Sequence, residues 1–110
     1  VVLAISATGK PKELIDAASI AREYGATVIA VTKPSSQLAM VADIALGLYV
    51  PETPHALKPT ASRFAFLAAV DLLAALTAYR SPRETQERMR RIKYALGNFG
   101  GGEAEGPLGD

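Results

Sequence analysis

At 110 residues with a formal net charge of +1, the chain has the size of one domain, able to bury about two thirds of its unfolded surface. Hydrophobic residues make up 49% and charged residues 21%, a balance of soluble globular proteins that excludes a disordered chain and gives no global electrostatic pull towards nucleic acid or membrane. With no cysteine, disulfides, thiolate metal sites and cysteine nucleophiles are excluded together, which suits a cytoplasmic location.

The run Val1 to Ile5 is apolar without alternation, the pattern of a parallel strand covered on both faces. A small hydroxyl-bearing turn follows, with Ser6, Thr8 and Gly9; Pro11 suits the first position of a helix, and Glu13 lies in its first turn. Hydroxyls and free N–H groups thus converge at a helix N-terminus, where the dipole favours an anion. A Ser/Thr/Gly turn after a strand serves equally as a helix cap, and local chemistry leaves both readings open. Through Tyr24 the helix places Leu14, Ile15, Ala18 and Ala21 on one face, and Gly25 ends it. Thr27 to Val31 is a second continuous β-branched run, so strand, helix, strand requires a right-handed parallel crossover.

Thr32 to Ser36 then forms a turn on the carboxyl edge of the sheet, the usual ligand side, with Ser35 or Ser36 capping a short helix over Gln37 to Ala42. Asp43 reads as a turn acid ahead of a third buried strand, Ile44 to Val50. The segment Pro51 to Thr60 carries three prolines and is read as a stiff extended loop. It holds Glu52 and His55, the best-placed general acid/base candidates, although a lone loop histidine is ordinarily just solvated. No second His and no Cys accompany His55, so no metal site is expected, and nothing implies a cofactor.

From Thr60 or Ala61 a long helix runs through Tyr79, and between Phe64 and Tyr79 its only charge is Asp71. The apolar run is short of the roughly 20 residues that span a bilayer, so no membrane insertion is expected; instead an uncovered apolar face is a subunit interface. Ser81, Pro82 and Glu84 mark the start of another helix, expected to end near Leu96 at Gly97. Met89, Ile92 and Leu96 form its narrow apolar stripe, and Arg83, Arg88, Arg90, Arg91 and Lys93 crowd the remainder. Because Glu84 and Glu87 interleave and no aromatic platform accompanies the cations, this reads as a solvated or partner-contacting face, not a DNA contact. Six glycines among residues 97 to 110 predict a disordered tail. A first residue already in a strand, with no initiator Met and no basic leader, is expected of a piece of a longer protein.

Three stretches, in order, resemble the SIS (sugar isomerase) domain family. SATGKPKE is similar to its phosphosugar motif Ser-x-Ser-Gly-x-Thr-x-Glu through Ser6, Thr8, Gly9 and Glu13, with Pro11 where that motif has threonine. SSQLAMVADIAL resembles the family's serine, Leu-Ala and Ala-Asp pattern before its last strand, and SRFAFLAAVD resembles the helix after the sheet in RpiR-type bacterial transcriptional regulators. The resemblance implies an α/β fold, a three-layer α/β/α Rossmann-like parallel sheet, in a partial domain lacking its N-terminal strands. Residues 1–79 would be the C-terminal two thirds of a phosphosugar-binding domain, 80–96 a basic amphipathic helix and 97–110 the tail.

The same resemblance implies that a sugar phosphate sits against Ser6, Thr8, Gly9, Lys10 and Glu13, its oxygens bonded to the hydroxyls and to the Gly9 and Lys10 amides. The chain would then be the effector sensor of an RpiR-like regulator, forming a homodimer or tetramer through Ala61 to Tyr79. It would meet DNA only through a helix-turn-helix outside these residues. The alternative is an aldose–ketose phosphosugar isomerase using Glu13, Glu52 and His55. A third reading is a dimerising scaffold whose pocket has decayed, to which Pro11 gives weight.

Overall fold

A computed structural model describes residues 1–51 and 61–100. In chain order these form β1 (Val2–Ser6), α1 (Lys12–Glu23), β2 (Val28–Thr32), α2 (Gln37–Val41), β3 (Ile44–Gly47), α3 (Ala61–Arg80) and α4 (Pro82–Gly100). The chain divides into two units, Val1–Asp71 and Leu72–Asp110. The division falls within α3, whose one buried residue, Ser62, belongs to its first part.

The first unit is built on a parallel sheet of order β1-β2-β3, in which Ser6 pairs with Thr32 and Thr32 with Gly47. Two strand–helix–strand crossovers account for this order. Ala18 of α1 and Leu38 of α2 pack with Ala4, Val28 and Ala30 in one buried cluster, so both helices cover the same sheet face and the strands advance in one direction. The opposite face is apolar too: register places Leu3, Ile5, Ile29, Val31, Ile44 and Leu46 together there. Val31, on the central strand, is buried, but Leu3, Ile5, Ile44 and Leu46 remain between 37% and 49% exposed. The expectation of strands covered on both faces is therefore met only at β2. The described residues supply a partial α/β Rossmann-like fold, the sheet and one helical layer.

Local chemistry sets the element ends. Pro11 is the N-cap of α1, with ψ of 120°, not its first helical residue as expected; an extended ψ keeps it outside the helix. At the other end Gly25 adopts a φ of +83°, and its N–H donates to the Arg22 carbonyl while that of Ala26 donates to Ala21. This paired closure satisfies carbonyls the last turn leaves free and requires the left-handed backbone that glycine allows. β3 stops at Gly47, earlier than the expected Val50.

The amino edge of the sheet is fastened by Asp43. One carboxylate oxygen accepts from the Val28 N–H at 2.8 Å, the other lies 2.9 Å from Arg22 Nε, and Arg22 Nη1 donates to the Val41 carbonyl at 2.9 Å. One side chain thus ties the end of α1, the start of β2 and the end of α2, the structural role the sequence favoured.

In the second unit no described residue is buried. α4 is held along its surface by pairs from Glu84 to Arg88 and from Glu87 to Arg90 and Arg91, worth a few tenths of a kcal/mol each. It runs past the expected stop at Gly97, to Gly100, because Gly97 does not take up a left-handed backbone there. Of the expected tail, residues 97–100 are helical and 101–110 lie outside the described residues.

Asp43→Ala is expected to cost about 2 kcal/mol in urea unfolding, since it strips the acceptor from the buried Val28 amide. Asp43→Asn keeps that acceptor and loses only a half-exposed ion pair, up to about 1 kcal/mol. Equal losses would show that the amide contact is not the source.

Candidate functional site

Register brings the loops after β1 and β2 together at the carboxyl edge of the sheet. In the first loop the Ser6 hydroxyl accepts from the Gly9 N–H at 3.0 Å, and the Thr8 hydroxyl accepts from the Lys10 N–H at 3.4 Å. The two amides expected to bind an anion are thus engaged by neighbouring hydroxyls, which shape the turn. Gly9 has a φ of +63°, and its carbonyl accepts from the Leu38 N–H at 3.1 Å. A Cβ at Gly9 would lie 2.2 Å from Ser36 Oγ and 2.7 Å from Thr32 Oγ1, so only glycine lets the two loops approach so closely.

Behind this contact the second loop is fixed by its own hydroxyls. Ser36 Oγ accepts from the Ala39 N–H at 3.3 Å as the cap of α2, and lies 3.4 Å from the hydroxyl of fully buried Thr32. Of the two serines the sequence offered as caps, Ser36 performs that role. Ser35 instead adopts φ of +59°, a left-handed conformation that costs about 1–2 kcal/mol for a residue with a Cβ.

The N-terminus of α1 adjoins the first loop and has no side-chain cap. Its first intrahelical bond runs from the Ile15 N–H to the Pro11 carbonyl, leaving the amides before it to another acceptor. Two clefts open at this edge. One, of about 340 Å³, is lined by Thr8, Lys10, Lys33, Ser35, Ser36 and Gln37; the other, of about 380 Å³, by Thr8, Lys10, Lys33, Tyr49, Pro51 and Ser62. They share Thr8, Lys10 and Lys33, and among the described residues their linings contain no carboxylate.

Of the expected site residues, Thr8 and Lys10 line the clefts, and Ser6 and Gly9 build the turn beneath them. Glu13 stands exposed in the first turn of α1 and lines neither cleft. Glu52 and His55 lie outside the described residues. The sequence did not single out Lys33, Gln37, Tyr49 or Ser62 as site residues. Lys33 was within reach of sequence reasoning, because it follows directly on a strand whose parallel neighbour ends in the hydroxyl-rich turn. Among the described residues no group of three His, Cys, Asp or Glu side chains could hold a metal.

The SIS domain family model matches residues 1–76, and the chain belongs to this family. Among its relatives is the HTH-type transcriptional regulator HexR of Escherichia coli K12, 40% identical over 96 residues, which are 87% of this chain and 33% of that protein. The HTH-type transcriptional regulator HexR of Pseudomonas aeruginosa is 37% identical over 92 residues, 84% of this chain and 32% of the relative. An HTH-type transcriptional regulator of Caldanaerobacter subterraneus is 40% identical over 97 residues, 87% and 34% of the respective chains. The chain thus spans about a third of the length of the curated relatives it matches.

Gly9→Ala is expected to separate the two loops, through a left-handed backbone penalty of about 1–2 kcal/mol and a collision with Ser36. A fall in thermal stability with displaced amide resonances for Thr32 to Leu38 checks this; unchanged resonances there would show the contact to be dispensable.

Proposed function

We propose that the chain is a phosphosugar-binding domain acting as the effector sensor of an RpiR-like transcriptional regulator. The observation that carries this reading is the hydroxyl-bearing Ser6 to Lys10 turn at the uncapped N-terminus of α1, beside clefts whose described lining residues include two lysines and no carboxylate. A phosphate there accepts from the Thr8 hydroxyl, the Lys10 ammonium and the free first-turn amides of α1, and the helix dipole favours its charge. Ser6 and Gly9 hold the turn that aims these donors. Membership of the SIS family and relatives named as HTH-type transcriptional regulators support the regulatory half of the reading.

On this reading DNA is contacted through a helix-turn-helix outside these residues, and the protein works in the cytoplasm. Phosphosugar occupancy shifts the regulator between two arrangements by the difference in its affinity for them, tenfold for each 1.4 kcal/mol. The isomerase alternative needs an acid/base group at the bound sugar; of its candidates Glu13 lines neither cleft, and Glu52 and His55 lie outside the described residues.

The assembly is a homodimer or tetramer through α3. Phe64, Leu67, Leu72 and Leu76 are each at least 60% exposed on that helix, an apolar surface that water does not tolerate uncovered. By length and composition alone α3 could also cross a membrane, with a mean hydropathy of 1.6. Asp71, midway along it, favours the subunit interface. Paired Leu67→Lys and Leu72→Lys substitutions are expected to turn the oligomer into monomer in light scattering; an unchanged mass would exclude α3 as the interface.

A thermal-shift panel of hexose, pentose and amino-sugar phosphates tests the ligand. At about a hundred times its dissociation constant the right one adds roughly 2.7 kcal/mol of stability. Recovered unchanged, it marks a sensor; recovered isomerised, it marks an enzyme. Thr8→Val should weaken the response about three- to tenfold, as expected for one lost hydrogen bond, and no shift with any phosphate leaves the scaffold reading.

A further inference from the structure

We propose that Lys33, held over the ring of Tyr49, is the second cation of the phosphate site and makes it selective for doubly charged phosphate esters. The inference rests on reading the Ser6 to Lys10 turn as a phosphate site. Lys33 follows the last residue of β2, and Tyr49 lies two residues beyond the end of β3. The Leu48 N–H donates to the Thr32 carbonyl at 2.8 Å, so the two loop starts are bonded to each other immediately before these side chains depart. The Lys33 ammonium sits 5.1 Å from the Tyr49 ring centroid, within the range in which a ring face attracts a cation.

Both clefts at the carboxyl edge share Lys33 with Thr8 and Lys10, and Tyr49 lines one of them. Two ammonium groups therefore reach the site from two different loops. A flexible lysine loses conformational freedom when it grips an anion; one already resting on a ring has lost part of that freedom beforehand. Tyr49 is accordingly a positioning residue, and Lys33 a binding one. With two cations and no described carboxylate in the lining, the second negative charge of a phosphate monoester gains an attraction that a singly charged ester of the same shape does not.

Methyl phosphate and methyl sulfate are suitable probes, since they share a tetrahedral shape and differ by one charge at pH 8. Titration of the full chain, followed by amide resonances of Thr8 to Lys10, is expected to show a preference for methyl phosphate. Lys33→Gln should weaken methyl phosphate about tenfold and methyl sulfate about threefold, narrowing the preference and flattening its salt dependence, whereas Lys33→Arg retains both. Tyr49→Leu should cost about two- to fivefold, Tyr49→Phe should restore it, and Tyr49→Leu should add nothing once Lys33 is Gln. Wild-type binding that Lys33→Gln and Tyr49→Leu leave unchanged overturns the role of this pair while the turn stands as a phosphate site. Failure of the wild type to bind either ester overturns the phosphate-site reading and this proposal with it.

Discussion

The close approach of Gly9 to Ser36 and Thr32 is the constraint on which the carboxyl edge depends. It requires parallel register with Ser6 opposite Thr32, a glycine in a left-handed turn, and a second loop whose small hydroxyl side chains leave room for that turn. Given these, the hydroxyls of Ser6 and Thr8 close the first loop, Ser36 caps the helix that follows the second, and the Gly9 carbonyl is bonded to the first turn of α2. Each loop is part of the wall of the other. The polar groups of both loops are thus largely satisfied by one another, which fixes the turn beneath the lysines that line the clefts.

The two edges of the sheet divide the work. At the amino edge Asp43 is spent on structure, paired with Arg22 and accepting from Val28, which anchors the chain reversal between α2 and β3. At the carboxyl edge the charge is all of one sign among the described cleft residues. A net charge of +1 concealed this, because acids and bases balance over the whole chain while the site samples only two lysines. Electrostatic selection for an anion is a local property, and a near-neutral chain is no argument against it.

Much apolar surface is left uncovered in the described residues. Leu3, Ile5, Ile44 and Leu46 share one sheet face, and Phe64, Leu67, Leu72 and Leu76 stand along α3. In an α/β sandwich both faces of a parallel sheet are normally buried. The uncovered faces therefore mark where the partial fold calls for further packing, and the buried cluster around Val28, Ala30 and Leu38 is the part that one helical layer completes.

The sequence by itself determined the element types and order: two unbroken β-branched runs and a third apolar one, Gly25 after an amphipathic helix, and Ser81-Pro82 before another. It also led to the family, through spaced motifs that the match over residues 1–76 bears out. These features were legible because they depend on neighbours a few residues apart. Tertiary structure alone decided which side chains meet. Lys33 and Tyr49 are sixteen positions apart and become neighbours only when β3 pairs with β2, and Thr8 joins Lys33 only through the register of β1. Tertiary structure alone also decided that Glu13, expected with the phosphosugar motif, stands exposed in the first turn of α1 and lines neither cleft. Likewise Gly97 carried a stop signal that α4 overrides, since a glycine ends a helix only where the backbone turns left-handed, and nothing local to its sequence dictates that turn.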